Sequence, residues 1–209
     1  MRQFTVHDDF NLYKKHTFTF EQGVTCLVGK NGSGKSTLLR SIKRQLEKDE
    51  IPYYHYDNYN EGGASAKSKY GFHNKFDLLA TAMFSSEGQQ IMLNYGETLQ
   101  RIGGFIRKNL REGKKEMYIL LDALDSGLDI SNIREIRHVF NLMLEEGRDA
   151  DIYIIVAANT FEMVKDLPCV AVSTSTHYVF KEYGEFADFI CGRTSKKRKG
   201  DTHGKDRAR

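Results

Sequence analysis

Proline is scarce, with two residues in a chain of 209. No long polar low-complexity tract accompanies them, which argues against extensive disorder. No run approaches about 18 consecutive apolar residues, so no helix is expected to span a membrane and no membrane partner is expected. The opening stretch, Met1 to Asp9, lacks the apolar core of a secretion signal. Cysteine is also sparse: Cys26, Cys169 and Cys191 are odd in number and widely spaced. That spacing suits small core residues in a reducing compartment rather than a disulfide or zinc framework, so a cytoplasmic location is expected. There is no internal repeat. The hydrophobic content of 40% is enough for a core, and the length fits one domain or one domain with a tail. The net charge of +3 is unevenly spread. Residues 193–209 hold eight Lys or Arg and two Asp, a charge of +6 against −3 for the rest. We expect a domain over 1–192 and a basic, disordered tail over 193–209.

Hydrophobic periodicity orders the rest of the chain. Strands are expected at 4–6 and 16–20, forming an antiparallel layer, then at 24–28. A helix follows over 37–46 and a strand over 51–56. Helical patterns occupy 76–84 and 90–106. A fully apolar strand, 117–121, ends in Asp122, and a helix runs from Ile130 to Glu146, ended by Gly147. A strand over 151–158 ends at Asn159. A short helix over 161–167 stops at Pro168, late strands cover 169–172 and 176–180, and a helix closes at 185–191. Alternating strands and helices predict an α/β fold with a mostly parallel central sheet.

Gly29-Lys30-Asn31-Gly32-Ser33-Gly34-Lys35-Ser36-Thr37 is a full phosphate-cradling loop, set between a strand and a helix. Its glycines let successive backbone N–H groups converge on an anion, and the helix N-terminus favours negative charge. A nucleoside triphosphate is therefore expected here. Lys35 would reach its β- and γ-phosphates, and Ser36 would help hold Mg²⁺, with Thr37 beside it. An apolar strand closed by Asp122 is the expected second half of the site, reaching Mg²⁺ through Ser36 or water. Tyr13 could stack on a base or serve as a packing residue. Asp57, Asn58 and Asn60 could face the metal or water, or form a plain turn.

Four elements in order resemble an ABC-type ATPase. They are the phosphate loop, Ser85-Ser86-Glu87-Gly88-Gln89 opening a helix, Ile119-Leu120-Leu121-Asp122, and Ser126-Gly127-Leu128-Asp129. The second is similar to that family's signature motif and the last to its D-loop. The resemblance covers residues 1 to about 192 and implies a P-loop NTPase sandwich with a small helical signature segment. It also implies ATP and Mg²⁺ as ligands, and a head-to-tail homodimer with two ATP molecules between the subunits. The partner's Ser86, Gly88 and Gln89, with Asp129, would close each site. Only 51 positions separate Lys35 from Ser86. That leaves no room for a coiled-coil arm or a transporter's longer insertion. The chain therefore looks more like SMC- and RecF-like proteins, or small phage and prokaryotic AAA-type ATPases, than a transporter subunit.

Three positions depart from the family pattern. Ala123 stands where the general-base glutamate is expected, and alanine cannot take a proton. Asn159 stands at the switch histidine; it can hydrogen-bond a γ-phosphate or water but carries no proton at neutral pH. Glu87 replaces a signature glycine. Asp125, three residues after Asp122, could replace the base or cap its turn. The expected activity is a slow ATPase acting in DNA maintenance, repair or defence. The alternative is a nucleotide-binding switch that recruits a partner protein, and a transporter motor ranks behind both. The tail could add sequence-independent contacts to DNA or RNA, or be a solvated terminus.

Overall fold

The computed structural model describes residues 1–6, 11–57 and 87–193. The expected helix over 76–84, Asn58 and Asn60, the Ser85–Ser86 pair and the tail beyond Arg193 lie outside these residues.

A two-stranded antiparallel sheet pairs β1 (Arg2–Thr5) with β2 (Thr17–Phe20), as the alternation predicts. The main sheet has six strands in the order β4-β5-β6-β3-β7-β8. Its members are β3 (Gly23–Val28), β4 (Tyr53–Asp57), β5 (Glu116–Asp122), β6 (Asp151–Ala157), β7 (Cys169–Ala171) and β8 (Thr176–Tyr178). The first five in this spatial order run parallel, and only β8 is antiparallel to its neighbour. The helices are α1 (Lys35–Lys48), α2 (Glu87–Arg111), α3 (Ile130–Glu146), α4 (Phe161–Val164) and α5 (Tyr183–Cys191). The fold is that of a P-loop NTPase, α/β with a mostly parallel sheet and an N-terminal antiparallel layer.

Both faces of the main sheet are covered, which explains why β5 reads as an unbroken apolar run. Met117, Ile119 and Leu121 point into a core shared with Ile102 and Ile106 of α2 and with Ile133, Ile136 and Phe140 of α3. Tyr118 and Leu120 point the other way, among Phe4, Phe18 and Phe20 of the small sheet and Leu38, Leu39, Ile42 and Leu46 of α1. The Tyr118 ring stacks on Tyr153 of β6 at a centroid distance of 4.7 Å. Burial, together with the Glu116 carboxylate accepting its O–H, holds the Tyr118 phenol well above its usual range.

The element boundaries have local causes. Asp129 caps α3 by accepting the Asn132 N–H at 2.9 Å. Gly147 closes that helix at φ −95°, outside the left-handed region. The end of the Ile152 side chain occupies the space where a Cβ would stand, so a larger residue there would require that side chain to move. Helix α4 is shorter than the pattern over 161–167 suggests. Arg137 of α3 takes the carbonyls of Glu162 and Lys165 at 2.7 and 2.8 Å, and Asp166 turns left-handed at φ 59°. Those carbonyls are thereby satisfied without a further helical turn. The last strand stops at Tyr178 rather than 180, because Phe180 bridges to Lys165 instead. Helix α5 starts two residues early on a reciprocal capping box between Glu182 and Glu185.

Candidate functional site at the phosphate loop

In an open parallel sheet, ligands gather beyond the carboxyl ends of the strands. Strand β3 lies between β6 and β7, so its loop faces the turns leaving β6 and, one strand further, β5. A cavity of about 350 Å³ opens there. Its walls are Leu12, Asn31 to Thr37, Asp122, Ala123 and Asn159. Two segments more than eighty residues apart in sequence meet in one crevice through parallel pairing alone.

The loop enters α1 through Gly34, the N-cap, at φ 95°. As a glycine the N-cap supplies no side-chain bond, and no acidic residue sits in the first turn, so the helix itself does not oppose its positive end. Gly34 is required twice over. A side chain would be strained at that φ, and a Cβ would lie 2.9 Å from the Tyr13 ring. Tyr13 is buried, packs edge-on against Phe18, and donates its O–H to the Gly34 carbonyl at 2.8 Å. Of the two roles open to Tyr13, base stacking or packing, the structure places it in the second, beneath the phosphate loop. Leu12 reaches the cavity wall instead, and no residue pattern marks it in advance.

Lys35 is buried, and its ammonium donates to the Gly29 carbonyl at 2.8 Å and the Lys30 carbonyl at 3.5 Å. Burial lowers its pKa, while the charges of Asp125 and Asp122 oppose that shift. The Ser36 hydroxyl donates to Asp122 Oδ1 at 3.0 Å. Burial raises the Asp122 pKa and the nearby Asp57 carboxylate adds to it; the Ser36 bond, His55 and Arg40 pull it down. Asp57 ends β4 directly opposite Asp122 in register, so the two acids share the carboxyl edge of the sheet. The Ser33 hydroxyl is buried without a hydrogen-bond partner among the described residues.

The opposite wall is built from the turns after β5 and β6. Ala123 adopts φ 52°, its N–H donating to the Ala157 carbonyl at 3.2 Å and its own carbonyl accepting from Ser126 N–H at 3.2 Å. Asp125 is fully buried and lies off the cavity wall. Its Oδ2 accepts the N–H groups of Asn159 and Thr160 at 2.8 and 2.7 Å and the Thr160 hydroxyl at 2.8 Å. Asn159 itself lines the cavity, its side-chain amide donating to Ser126 Oγ at 3.3 Å.

The remaining candidates sit elsewhere. Asp129 caps α3, accepting also the Ser131 hydroxyl at 2.7 Å, and these two bonds hold its carboxyl below the usual range. Gly88 and Gln89 fall in the first turn of α2. Ser86, the residue expected to pair with them, is outside the described residues.

A family profile described as an AAA domain matches residues 8–145, from ahead of the phosphate loop to the last turn of α3. No curated protein matches the chain.

Proposed function

The chain belongs to the AAA domain family of P-loop ATPases, and on that premise we propose that it is a slow ABC-type ATPase, dimerising head to tail around two ATP molecules with Mg²⁺. The observation that carries this reading is the Ser36–Asp122 hydrogen bond at the edge of the cavity, with Ala123 next to Asp122. A hydroxyl and a carboxylate are hard oxygen donors of the kind Mg²⁺ prefers. The unpartnered Ser33 hydroxyl and the α1 terminus suit phosphate oxygens. Ser36 and Asp122 would hold the metal. Lys35 and the backbone of Gly29 to Thr37, Asn31 included, would hold the phosphates. Bound Mg²⁺ would neutralise charge on the phosphates and help orient them.

On the far wall, Asn159 would contact the γ-phosphate or a water. Ala123 offers no proton acceptor, so we read the chemical step as slow. Asp125 has its Oδ2 engaged by three donors from the next loop and lies off the wall, which supports the turn-holding role over that of a replacement base. A second reading draws on the same alanine: a nucleotide-binding switch that hardly hydrolyses and recruits a partner protein.

The partner subunit's contribution would come from Ser86, Gly88 and Gln89, with Asp129 at the interface. The basic tail, 193–209, supports a role on DNA or RNA in maintenance, repair or defence. The test combines sedimentation of the full chain in Mg-ATP and Mg-ADP with phosphate release, with and without duplex DNA. The slow-ATPase reading expects ATP-dependent dimers and measurable release that rises with DNA. Dimers with background turnover would leave the switch reading in its place. Ser86→Ala should abolish the dimer and spare nucleotide binding by the monomer; a persisting dimer would refute the head-to-tail arrangement.

A further inference from the structure

Asp125 has the lowest exposure of any polar side chain among the described residues, at 0%. A buried carboxylate needs strong partners. All three donors to its Oδ2 come from the loop leaving β6, and none from its own turn. Two further bonds join the same pair of turns: Asn159 to Ser126 Oγ, and Ala123 N–H to the Ala157 carbonyl. The two turns are thus stitched together across the sheet edge, with Asp125 making most of the stitches.

We propose that Asp125 is a positioning residue that holds the Asn159 side chain on the wall of the phosphate cavity, and so sets how strongly the site distinguishes a nucleoside triphosphate from a diphosphate. The inference rests on the ATP-site reading above. A short polar side chain on a loop recognises a terminal phosphate only if its backbone is held still, because small displacements forfeit hydrogen bonds. Asp125 fixes the Asn159 N–H directly and the following residue through both N–H and hydroxyl, leaving Asn159 only its two side-chain torsions. Ser126 then takes that side chain's N–H. The carboxylate commits Oδ2 in this way and is set off the cavity wall, while its Oδ1 is buried without a hydrogen-bond partner among the described residues. Its negative charge also supports the protonated state of Lys35 on the facing wall.

Equilibrium binding of ATP and ADP with Mg²⁺ to the full chain tests this, together with amide hydrogen exchange at Asn159 and Thr160. The wild type should prefer ATP by at least about tenfold. Asn159→Ala and Asp125→Ala should each lower that ratio by about fivefold or more, and the double variant should go no further. Asp125→Asn keeps an acceptor oxygen, so it should hold the ratio within about threefold of wild type. In Asp125→Ala the Asn159 and Thr160 amides should lose protection while those of β6 keep theirs, which also reports an intact fold. A wild-type ratio in Asp125→Ala, or a loss in Asp125→Asn as large as in Asp125→Ala, overturns the proposal, as does a wild type without ATP preference. If the wild type binds neither nucleotide, the ATP-site reading fails by itself; exchange at Asn159 then decides the positioning role, and unchanged protection in Asp125→Ala ends it. Should Asp125→Ala not fold, Thr160→Val removes one of the three donors. A smaller loss of both ratio and protection is then expected, and no change in either refutes the idea.

Discussion

The loop after β3 and the turn after β5 face each other across one cavity, and both carry residues in the left-handed region. They differ in which residues do so. Gly32 and Gly34 take φ 76° and 95° without a Cβ to clash. Ala123 takes φ 52° with its methyl group in place. For an L-residue this conformation costs roughly 1 kcal/mol or more, and it persists only where the surroundings impose it. The surroundings here are the bonds from Ala123 to Ala157 and Ser126, and the Asp125 carboxylate that ties the turn to its neighbour. One wall is shaped by the freedom of glycine within nine consecutive residues. The other is shaped by hydrogen bonds between segments some thirty-five residues apart.

The comparison can be tested hardest at Ala123. Restoring a carboxylate by Ala123→Glu should raise phosphate release on the order of 100-fold, since it puts a proton acceptor next to Asp122. The backbone strain is similar for either residue, so the fold should tolerate the change. If release is unmoved, that wall does not place its side chain against the reacting water, and the walls differ by more than one residue.

On the near wall, Lys35→Ala should weaken ATP binding by about 10- to 100-fold, as loss of a charge-assisted contact in a buried position does. Titration calorimetry on the full chain would measure it. A smaller loss would shift the phosphate contact from the lysine to the backbone cradle and the α1 terminus.

The smallest effect is expected where the walls meet. Burial and Asp57 raise the Asp122 pKa in the folded protein above its unfolded value, so the native state binds this proton more tightly than the unfolded chain. At neutral pH the ionised group therefore opposes folding, and the penalty lifts as pH falls through the folded pKa. Asp122→Asn keeps an acceptor for Ser36 and should raise the melting midpoint by about 2 °C at neutral pH, the effect being moderated by solvent screening. The gain should shrink in the acid range while Mg²⁺-dependent nucleotide binding is lost at every pH. A destabilised Asp122→Asn would place the carboxylate among the groups that hold the fold.

Much of this architecture is legible in the residues. The phosphate loop, the apolar β5 run and the 130–146 helix each carry a local signal: turn glycines, an unbroken apolar run closed by an acid, and an apolar stripe ended by Gly147; that Asp129 caps this helix emerges only from the structure. The less legible parts depend on contacts made at a distance. Helix α4 ends early because Arg137 reaches over from α3 to satisfy its carbonyls. Tyr13 lies under the phosphate loop because Phe18 and the Gly34 carbonyl receive it there, while its sequence neighbourhood is equally consistent with a base-stacking ring. Leu12 reaches the cavity as a consequence.

For the site the division is sharper. The sequence alone determined that a triphosphate loop stands between a strand and a helix, that an acid closes an apolar strand, and that alanine follows that acid. Each is a statement about neighbours along the chain, where spacing is chemistry. Only the tertiary structure decided that Ser36 and Asp122 share a hydrogen bond, that Asp57 stands beside them, and that Asp125 is turned away from the cavity to hold the loop of Asn159. Those facts follow from the strand order β4-β5-β6-β3, which brings the carboxyl ends of four strands to one edge. No spacing within a single segment encodes which edges become neighbours. That is settled when the two faces of the sheet bury their cores.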